Sequence, residues 1–171
     1  MFVNSVVDFY QAHGVLFWLM GSLAARDYSV IAALALYSLA GLAVLTLRAR
    51  ELDCLSLGDD RAAELGVAVA RARARVFVVA SLLVGAVVSV SGMIGFVGLV
   101  VPHLVRIAFG ADHRLVLPAT YLAGAIFLVW ADTIARTVLG ATEIPVGVVT
   151  ALCGGPFFVY LLRRERRRAA V

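Results

Sequence analysis

Residues Val76–Val105 read VFVVASLLVGAVVSVSGMIGFVGLVVPHLV and contain no formally charged side chain. This stretch of thirty residues is too long for one membrane span, because about 20 apolar residues already cross a hydrocarbon core of roughly 30 Å. Gly92 and Gly95 lie near its middle and permit a tight reversal of the chain. We therefore predict two membrane helices here, at about 76–90 and 94–109, and we expect Pro102 to kink the second.

Three more apolar stretches flank this one. Tyr28–Leu47 is uncharged and is ended by Arg48 and Arg50, so it is long enough for one span. Two further spans are predicted at about 115–138 and 144–162. The last of these begins beside Pro145, and it is interrupted by Gly154, Gly155 and Pro156, where we expect it to be bent or locally unwound. The fold class that follows is an all-α integral membrane protein with about five transmembrane helices.

Composition supports lipid as the solvent of most of this chain. Of its 171 residues 63% are hydrophobic and only 15% are charged, and the charges occur in clusters. All fifteen basic residues are arginine, which excludes a P-loop lysine and Schiff-base chemistry in this chain. The net charge of +4 is attributed to arginines that flank membrane spans, not to nucleic-acid binding. Cys54 and Cys153 are too few and too far apart for a disulfide framework or a metal site.

The arginine distribution predicts the orientation in the membrane. Thirteen of the fifteen arginines fall in the 48–75 loop, the 106–114 loop and the basic tail 163–171. The positive-inside rule makes that side cytoplasmic, so we predict a multi-pass protein of the cell membrane with a cytoplasmic C-terminus. Residues 1–27 are then an outer-face segment, interpreted as the remnant of a preceding helix plus an interfacial helix. An outer start without a signal peptide suggests the rear portion of a longer protein.

The 48–75 loop is the longest polar segment. Ser56 and Asp59 have capping-box spacing, Gly66 suits a helix stop, and a short helix of about Leu57–Leu65 is predicted between them. Charges alternate in it with apolar residues, which leaves one modestly apolar face. Two interpretations stay open: a solvated loop helix, or a docking element that transmits force from a cytoplasmic partner.

Several charged residues near the membrane boundary need a reason. Asp132 and Arg136 are spaced i, i+4 and are expected to pair on one helix face. Glu143 is predicted near the start of the last helix, where the dipole favours an acid. A metal site or an active site built on His103 and His113 is disfavoured, because these residues are ten apart. A small membrane enzyme that depends on His103 is the least favoured function.

Several long motifs resemble those of the FecCD-type permeases, the family of iron–siderophore, haem and cobalamin importers. They occur in the family's order and cover nearly the whole chain from Val15 onward. The matching runs are FWLMGSL (17–23), SGMIGFVGLVVPHLVR (91–106), GADHR (110–114), ADTIAR (131–136), EIPVGVVTAL (143–152) and GPFF (155–158).

The resemblance implies a ten-helix ABC-importer permease that works as a dimer with a second permease chain, on two ATPase subunits, fed by an extracytoplasmic binding protein. This chain resembles the last half, and ATP would be hydrolysed by the partner subunit, with no cofactor bound by this chain. By resemblance, Arg136 pairs with an acid of the binding protein, in competition with its pairing to Asp132. Helix breaks are expected at Gly92, Gly95, Pro102, Pro145, Gly155 and Pro156. The residues expected to couple to the ATPase are Leu55, Ser56, Leu57, Gly58, Asp59, Asp60, Arg61, Glu64, Leu65 and Gly66.

Two functions follow from the resemblance. The first is a transport subunit without catalysis of its own, for ferric siderophores or a related chelate. The second is a truncated permease that does not transport, because the front half of the family's permease has no counterpart in this sequence.

Overall fold

A computed structural model describes residues 14–15, 18–24, 27–137 and 144–169 of the chain. Most of the predicted outer-face segment 1–27, including Arg26, lies outside the described residues, and so does Glu143. The predictions made for these residues therefore stay predictions.

The part of the chain with described coordinates is helical and contains no strand. Seven helices can be bounded within these ranges, and two of them, α2 and α3, are short. They are α1 (Tyr28–Leu47), α2 (Ala49–Ser56), α3 (Asp59–Glu64), α4 (Val69–Ser91), α5 (Val97–Phe109), α6 (His113–Thr137) and α7 (Val146–Ala169).

The apolar helices match the expected membrane spans in number. Helices α1, α4 and α6 are long and apolar enough to cross a membrane, judged by length and composition. Helix α5 and the apolar part of α7, Val146–Leu161, are shorter. The predicted all-α fold with several membrane helices is confirmed, and α1 has the same bounds as the uncharged stretch that predicted it.

Helix α4 begins at Val69, seven residues before the predicted start of its span at Val76. The prediction placed the helix end where charges begin, but arginine has a good helix propensity and does not end a helix. Arg71, Arg73 and Arg75 lie on the first turns of α4. The change from apolar to charged residues therefore marks where the helix meets water, while its hydrogen bonds continue beyond that point.

The break after α4 is present where the glycines predicted it. Helix α4 ends at Ser91, and Gly92 adopts φ +68°, the left-handed region that glycine enters most readily. Helix α5 starts at Val97, three residues later than predicted. The delay arises at Phe96, whose φ of +66° is rare for a residue with a side chain and precludes regular helix there.

Helix α7 corrects the prediction of an unwound segment. It runs without interruption through Gly154, Gly155 and Pro156 and continues past the predicted end at 162 to Ala169. A proline costs one backbone hydrogen bond, which neighbouring turns of a membrane helix can tolerate. Gly154 has a packing reason instead: a Cβ there would lie only 2.1 Å from the Cβ of Phe96.

The described helices belong to two compact units. The first combines Met1–Ala25, Val88–Val100 and Ile126–Val171, and the second combines Arg26–Val87 and Val101–Ala125.

The first unit is held by close backbone approaches and a small core. A Cβ at Gly92 would meet the carbonyl oxygen of Trp18 at 2.1 Å, and one at Gly147 would meet that of Met20 at 2.1 Å. The amide of Ser22 also donates to the carbonyl of Ser91 at 2.8 Å. The core beside this junction consists of small residues, against which Leu23 and Ile144 pack: Ala131, Ala135, Val146 and Val149.

The second unit contains all of α1 and most of α4. Gly41 of α1 faces Leu83 of α4, and a Cβ at Gly41 would lie 2.5 Å from a Leu83 methyl carbon. The hydroxyls of Ser38 and Tyr121 are 2.9 Å apart, which joins α1 to α6 by a hydrogen bond. Glycine and hydroxyl contacts of this kind hold membrane helices together, since lipid removes the hydrophobic drive between them.

We predict opposite effects for two glycine-to-alanine changes near the end of α4. Gly92→Ala combines a positive φ with a clash against backbone and should cost about 2–4 kcal/mol. Gly85→Ala is the matched control, because no described atom outside the neighbouring backbone of its own helix lies within 4 Å of its Cβ position, and it should stabilise by about 0.5–1 kcal/mol. Thermal unfolding in detergent measures both changes. Equal midpoints for the two variants would contradict the close junction at Gly92.

Candidate functional site

The segment between α1 and α4, residues 48–68, is called the connector below. It contains α2, a turn at Leu57 and Gly58, and α3, and it includes all of the residues predicted to couple to an ATPase. The sequence predicted one short helix of about Leu57–Leu65, whereas the structure has two helices with a turn between them. Helix α2 was not predicted.

The turn is made by Gly58, not by a capping box. Gly58 has φ +103° and ψ 157°, a combination essentially reserved for glycine, and it is the N-cap of α3 without any side-chain hydrogen bond. The Ser56 hydroxyl donates to the carbonyl of Asp53 at 2.7 Å, so it closes the end of α2 instead of capping α3. The capping-box prediction for Ser56 and Asp59 is therefore wrong, because the serine lies inside a preceding helix.

Gly66 ends α3 as predicted. Its φ is +82°, and its amide donates to the carbonyl of Ala63 at 2.9 Å. The amide of Val67 donates to the carbonyl of Ala62 at 3.0 Å. These two bonds form a Schellman motif, which satisfies carbonyls at the helix end. The direction in which the chain leaves α3 toward α4 is thereby defined.

The connector has a buried side and an exposed side. Ala49 and Ala62 are fully buried, and small side chains at these positions permit close packing. Leu57 and Leu65 are exposed at 54% and 61%, next to the exposed acids Asp59, Asp60 and Glu64. Of the residues predicted to couple to an ATPase, Leu55 is half-buried and the others are exposed. The outer face of the connector is therefore both apolar and acidic.

Ion pairs join the connector to neighbouring helices. Arg73 of α4 pairs with Asp59 at 2.5 Å, and Arg75 of α4 lies 3.7 Å from Glu51. These pairs are exposed and screened by water, so each contributes on the order of 0–1 kcal/mol. Within the described part of the chain, Asp60 and Glu64 have no ion-pair partner and remain available on the outer face.

A different contact attaches the connector to α6. Asp53 Oδ1 accepts from the backbone amide of His113 at 3.0 Å and from its Nδ1 at 2.6 Å, across 60 residues of sequence. Arg106 Nη2 lies 3.1 Å from His113 Nε2. Arginine only donates, so Nε2 accepts and the imidazole carries its proton on Nδ1. The three side chains form a line from α5 through α6 to the connector.

The start of α6 carries two carboxylates. Asp112 Oδ1 accepts from the amide of Arg114 at 2.9 Å and caps the helix in the ordinary way. Asp53 satisfies the preceding amide, that of His113, from a different helix. Both acids lie at the positive end of the helix dipole, where negative charge is favourable.

The surroundings of Asp53 lower the pKa of its carboxyl. Partial burial acts to raise that pKa, but the side-chain and backbone hydrogen bonds from His113, together with the charge of Arg114, outweigh it. The ionised form is therefore the one that the folded structure stabilises.

The predicted pairing of Asp132 with Arg136 is confirmed. Arg136 Nε donates to Asp132 Oδ2 at 2.8 Å, one helical turn apart on α6. The docking of a binding protein at Arg136 remains a prediction.

The described histidines belong to no group of metal-ligating side chains. His113 is bound to Asp53 and Arg106, and in the described ranges no group of three or more His, Cys, Asp or Glu residues is placed to hold a metal ion. Both cysteines are free.

The central contact of the site was not predicted from the sequence. Asp53 was not singled out, Arg106 was noted only within a motif and a polar loop, and His113 was considered only within a motif and as part of a disfavoured metal or active site. A usable signal is present in Gly110–Arg114, where a glycine is followed, one residue later, by an Asp-His pair that opens a helix. Nothing local, however, indicates that the acid bound to His113 lies 60 residues away.

We predict an acid-sensitive contribution of Asp53 to stability. Because its folded pKa is below its unfolded value of about 3.9, its contribution is complete above that value and is lost as the pH falls through the folded pKa. Unfolding midpoints of wild type and Asp53→Asn should differ by a constant amount above about pH 5 and converge below about pH 4. A difference that does not change on acidification would contradict the assignment.

Known proteins similar to this chain are membrane permeases. The model of the FecCD transport family matches residues 1–164. The hemin transport system permease protein HmuU of Yersinia pestis is 46% identical over 151 residues, covering 88% of this chain and 45% of that protein. The cobalamin import system permease protein BtuC of Halobacterium salinarum is 50% identical over 155 residues, covering 90% of this chain and 41% of that protein.

A solved structure shows the same fold. It is described as a metal-chelate type ABC transporter in an inward-facing conformation, and it matches with a TM-score of 0.86 and 35% identity over 95% of this chain and 53% of that chain. The chain spans about half the length of the curated relatives it matches. The relatives are transport permeases and not enzymes, and the match over residues 1–164 shows that this chain belongs to the FecCD transport family.

Proposed function

We propose that this chain is the membrane-spanning permease part, corresponding to the C-terminal half of the family's permease, of an ABC importer for iron–siderophore-type metal chelates. A separate ATPase subunit drives it. Support comes from the family match, from the fold shared with a metal-chelate type transporter, and from apolar helices long enough for membrane spans. The chain contributes no catalytic group, and ATP is hydrolysed on the partner.

The outer face of the connector is the observation that carries the ATPase proposal. Leu57 and Leu65 are exposed beside Asp60 and Glu64, which have no ion-pair partner among the described residues. Such a surface fits a partner groove that is apolar at its centre and basic at its rim. The Schellman turn at Gly66 fixes the backbone at the end of α3, beside Leu65 on that surface.

The names of the relatives support the proposed class of cargo. Their names include hemin, cobalamin, ferric hydroxamate and ferric citrate, which are metal complexes larger than a free ion. The described helices expose large apolar side chains, among them Phe77 and Trp130, so the surface offers a bulky chelate few strong polar contacts. We favour ferric siderophores, and uptake of iron-55 siderophore, hemin and cobalamin by the assembled transporter in proteoliposomes discriminates among the three.

Further partners follow from the same proposal. A second permease chain and an extracytoplasmic binding protein complete the transporter, with Arg136 contacting an acid of the binding protein. The side of the membrane that bears most of the arginines is cytoplasmic, including the connector and the C-terminus.

We expect changes on the outer face of the connector to weaken ATPase binding. Replacing Asp60 with Lys and Glu64 with Lys should reduce co-purification with the cognate ATPase by about tenfold or more, because charge reversal opposes a basic rim. Leu57→Ser should act in the same direction by removing an exposed apolar contact. Both changes lie on exposed positions, so unfolding midpoints should stay close to that of wild type.

The matched control removes an acid elsewhere. Asp27 is exposed and caps α1 by accepting from the amide of Ser29 at 2.9 Å, a role that serine can also fill. Asp27→Ser should leave ATPase binding unchanged. If ATPase association is the same in the connector variants and in this control, the connector is not the docking surface.

We also predict the side of the membrane on which the connector lies. In a Cys153→Ser background, Cys54 is the remaining thiol, and Ser56→Cys adds a second that is more exposed. A membrane-impermeant maleimide should label both from the cytoplasmic side of oriented vesicles and neither from the outside. Labelling from the outside would reverse the proposed topology.

A further inference from the structure

We propose that the contact between Asp53 and His113, called the latch below, transmits displacement of the connector to the start of α6, with Asp53 as its positioning residue. The inference rests on the proposed function, in which an ATPase moves the connector. It adds the element through which that movement reaches a membrane helix.

The geometry of the latch suits this role. One carboxylate oxygen accepts two hydrogen bonds from a single residue, one from its backbone and one from its ring. Two bonds from different directions define orientation as well as distance. The backbone bond also means that Asp53 holds the helix axis of α6 itself, and not merely a flexible side chain.

Arg106 extends the latch to α5. It lies in the last turn of α5, and its guanidinium donates to the second ring nitrogen of His113. The corner between α5 and α6 is short and turns at Gly110, which has φ +84°. The connector therefore holds a corner at which two apolar helices meet, and a displacement of Asp53 acts on both.

Capping alone does not account for Asp53. The first turn of α6 already has its own N-cap in Asp112, which satisfies the amide of Arg114. Asp53 is a second acid at the same turn, and it comes from a helix that belongs to the connector. A carboxylate needed only for local helix stability would be supplied by the helix's own flanking residues, as Asp112 is.

The latch is also the best protected of the connector's polar attachments. The side chains of His113 and Asp53 are 12% and 38% exposed, whereas both partners of the pair between Arg73 and Asp59 are more than half exposed. Water screens the exposed pair and competes for its hydrogen bonds. The shielded contact is the one that persists when the connector is displaced.

Hydrogen exchange of the full chain in lipid nanodiscs tests the latch without any ATPase. Asp53→Ala should accelerate exchange about tenfold in peptides that cover the connector and in those that cover the first turn of α6. Asp112→Ala is the matched control, because it removes a cap from the same turn without touching the connector. It should accelerate exchange at the first turn of α6 only.

Asp53→Asn provides a milder variant that keeps an acceptor oxygen and should give an intermediate acceleration in both regions. A double-mutant cycle of Asp53→Ala and His113→Ala should show that the two effects are not additive. The latch is overturned if Asp53→Ala leaves the connector peptides at the wild-type rate, or if the two side chains act additively.

The assembled transporter then separates positioning from docking. Asp53→Ala should keep ATPase association and ATP hydrolysis near wild type while uptake falls about tenfold, since the connector still binds but no longer moves α6. Loss of association would contradict a pure positioning role. If the lysine substitutions at Asp60 and Glu64 leave ATPase association unchanged, that result counts against the proposed function. The hydrogen-exchange result, which needs no ATPase, still decides whether the latch couples the connector to α6.

Discussion

The structure depends on one constraint: a backbone inside lipid must satisfy its own hydrogen bonds. Helices do this within a single segment, and the described residues form helices and no strands. The same constraint explains the form of the interruption at Gly92 to Phe96. At this turn other backbone lies close by: the carbonyl of Trp18 is near Gly92, and the amide of Ser22 donates to the carbonyl of Ser91.

The lipid environment also determines how the helices pack against one another. Lipid offers apolar side chains nearly the same environment as a protein interior, so burial of leucines contributes little between membrane helices. The buried residues are accordingly small, as in the core around Ala131 and Ala135, and glycines approach neighbouring atoms closely. Large apolar side chains are left facing outward, where they suit lipid or a further membrane partner.

Charge is concentrated where the chain leaves the apolar helices, and the connector presents the surface that we propose for docking. Its exposed side combines leucines with acids, and its inner side is joined to α6 by hydrogen bonds between a carboxylate and a histidine. A protein that must respond to a partner needs both features in one segment. The family relationship supports the proposal that this partner is an ATPase subunit. The contact between Asp53 and His113 is the proposed route by which movement of the connector reaches α6.

The sequence by itself determined the class of the fold and several of the places where helices end or break. Uncharged length predicted α1 to the residue, glycines predicted the break after α4 and the end of α3, and the i, i+4 spacing predicted the pair on α6. These features are local, so the pattern of neighbouring residues contains them. The predicted start of α4 was less accurate, because the hydropathy of the sequence indicates where the helix leaves the lipid and not where its backbone hydrogen bonds end. Only the tertiary structure decided that Asp53 meets His113, that Phe96 takes a left-handed conformation against Gly154, and that α7 stays continuous through Pro156. Each of these depends on which distant residue is close in space, and pairing across 60 residues leaves no periodic signal in the chain.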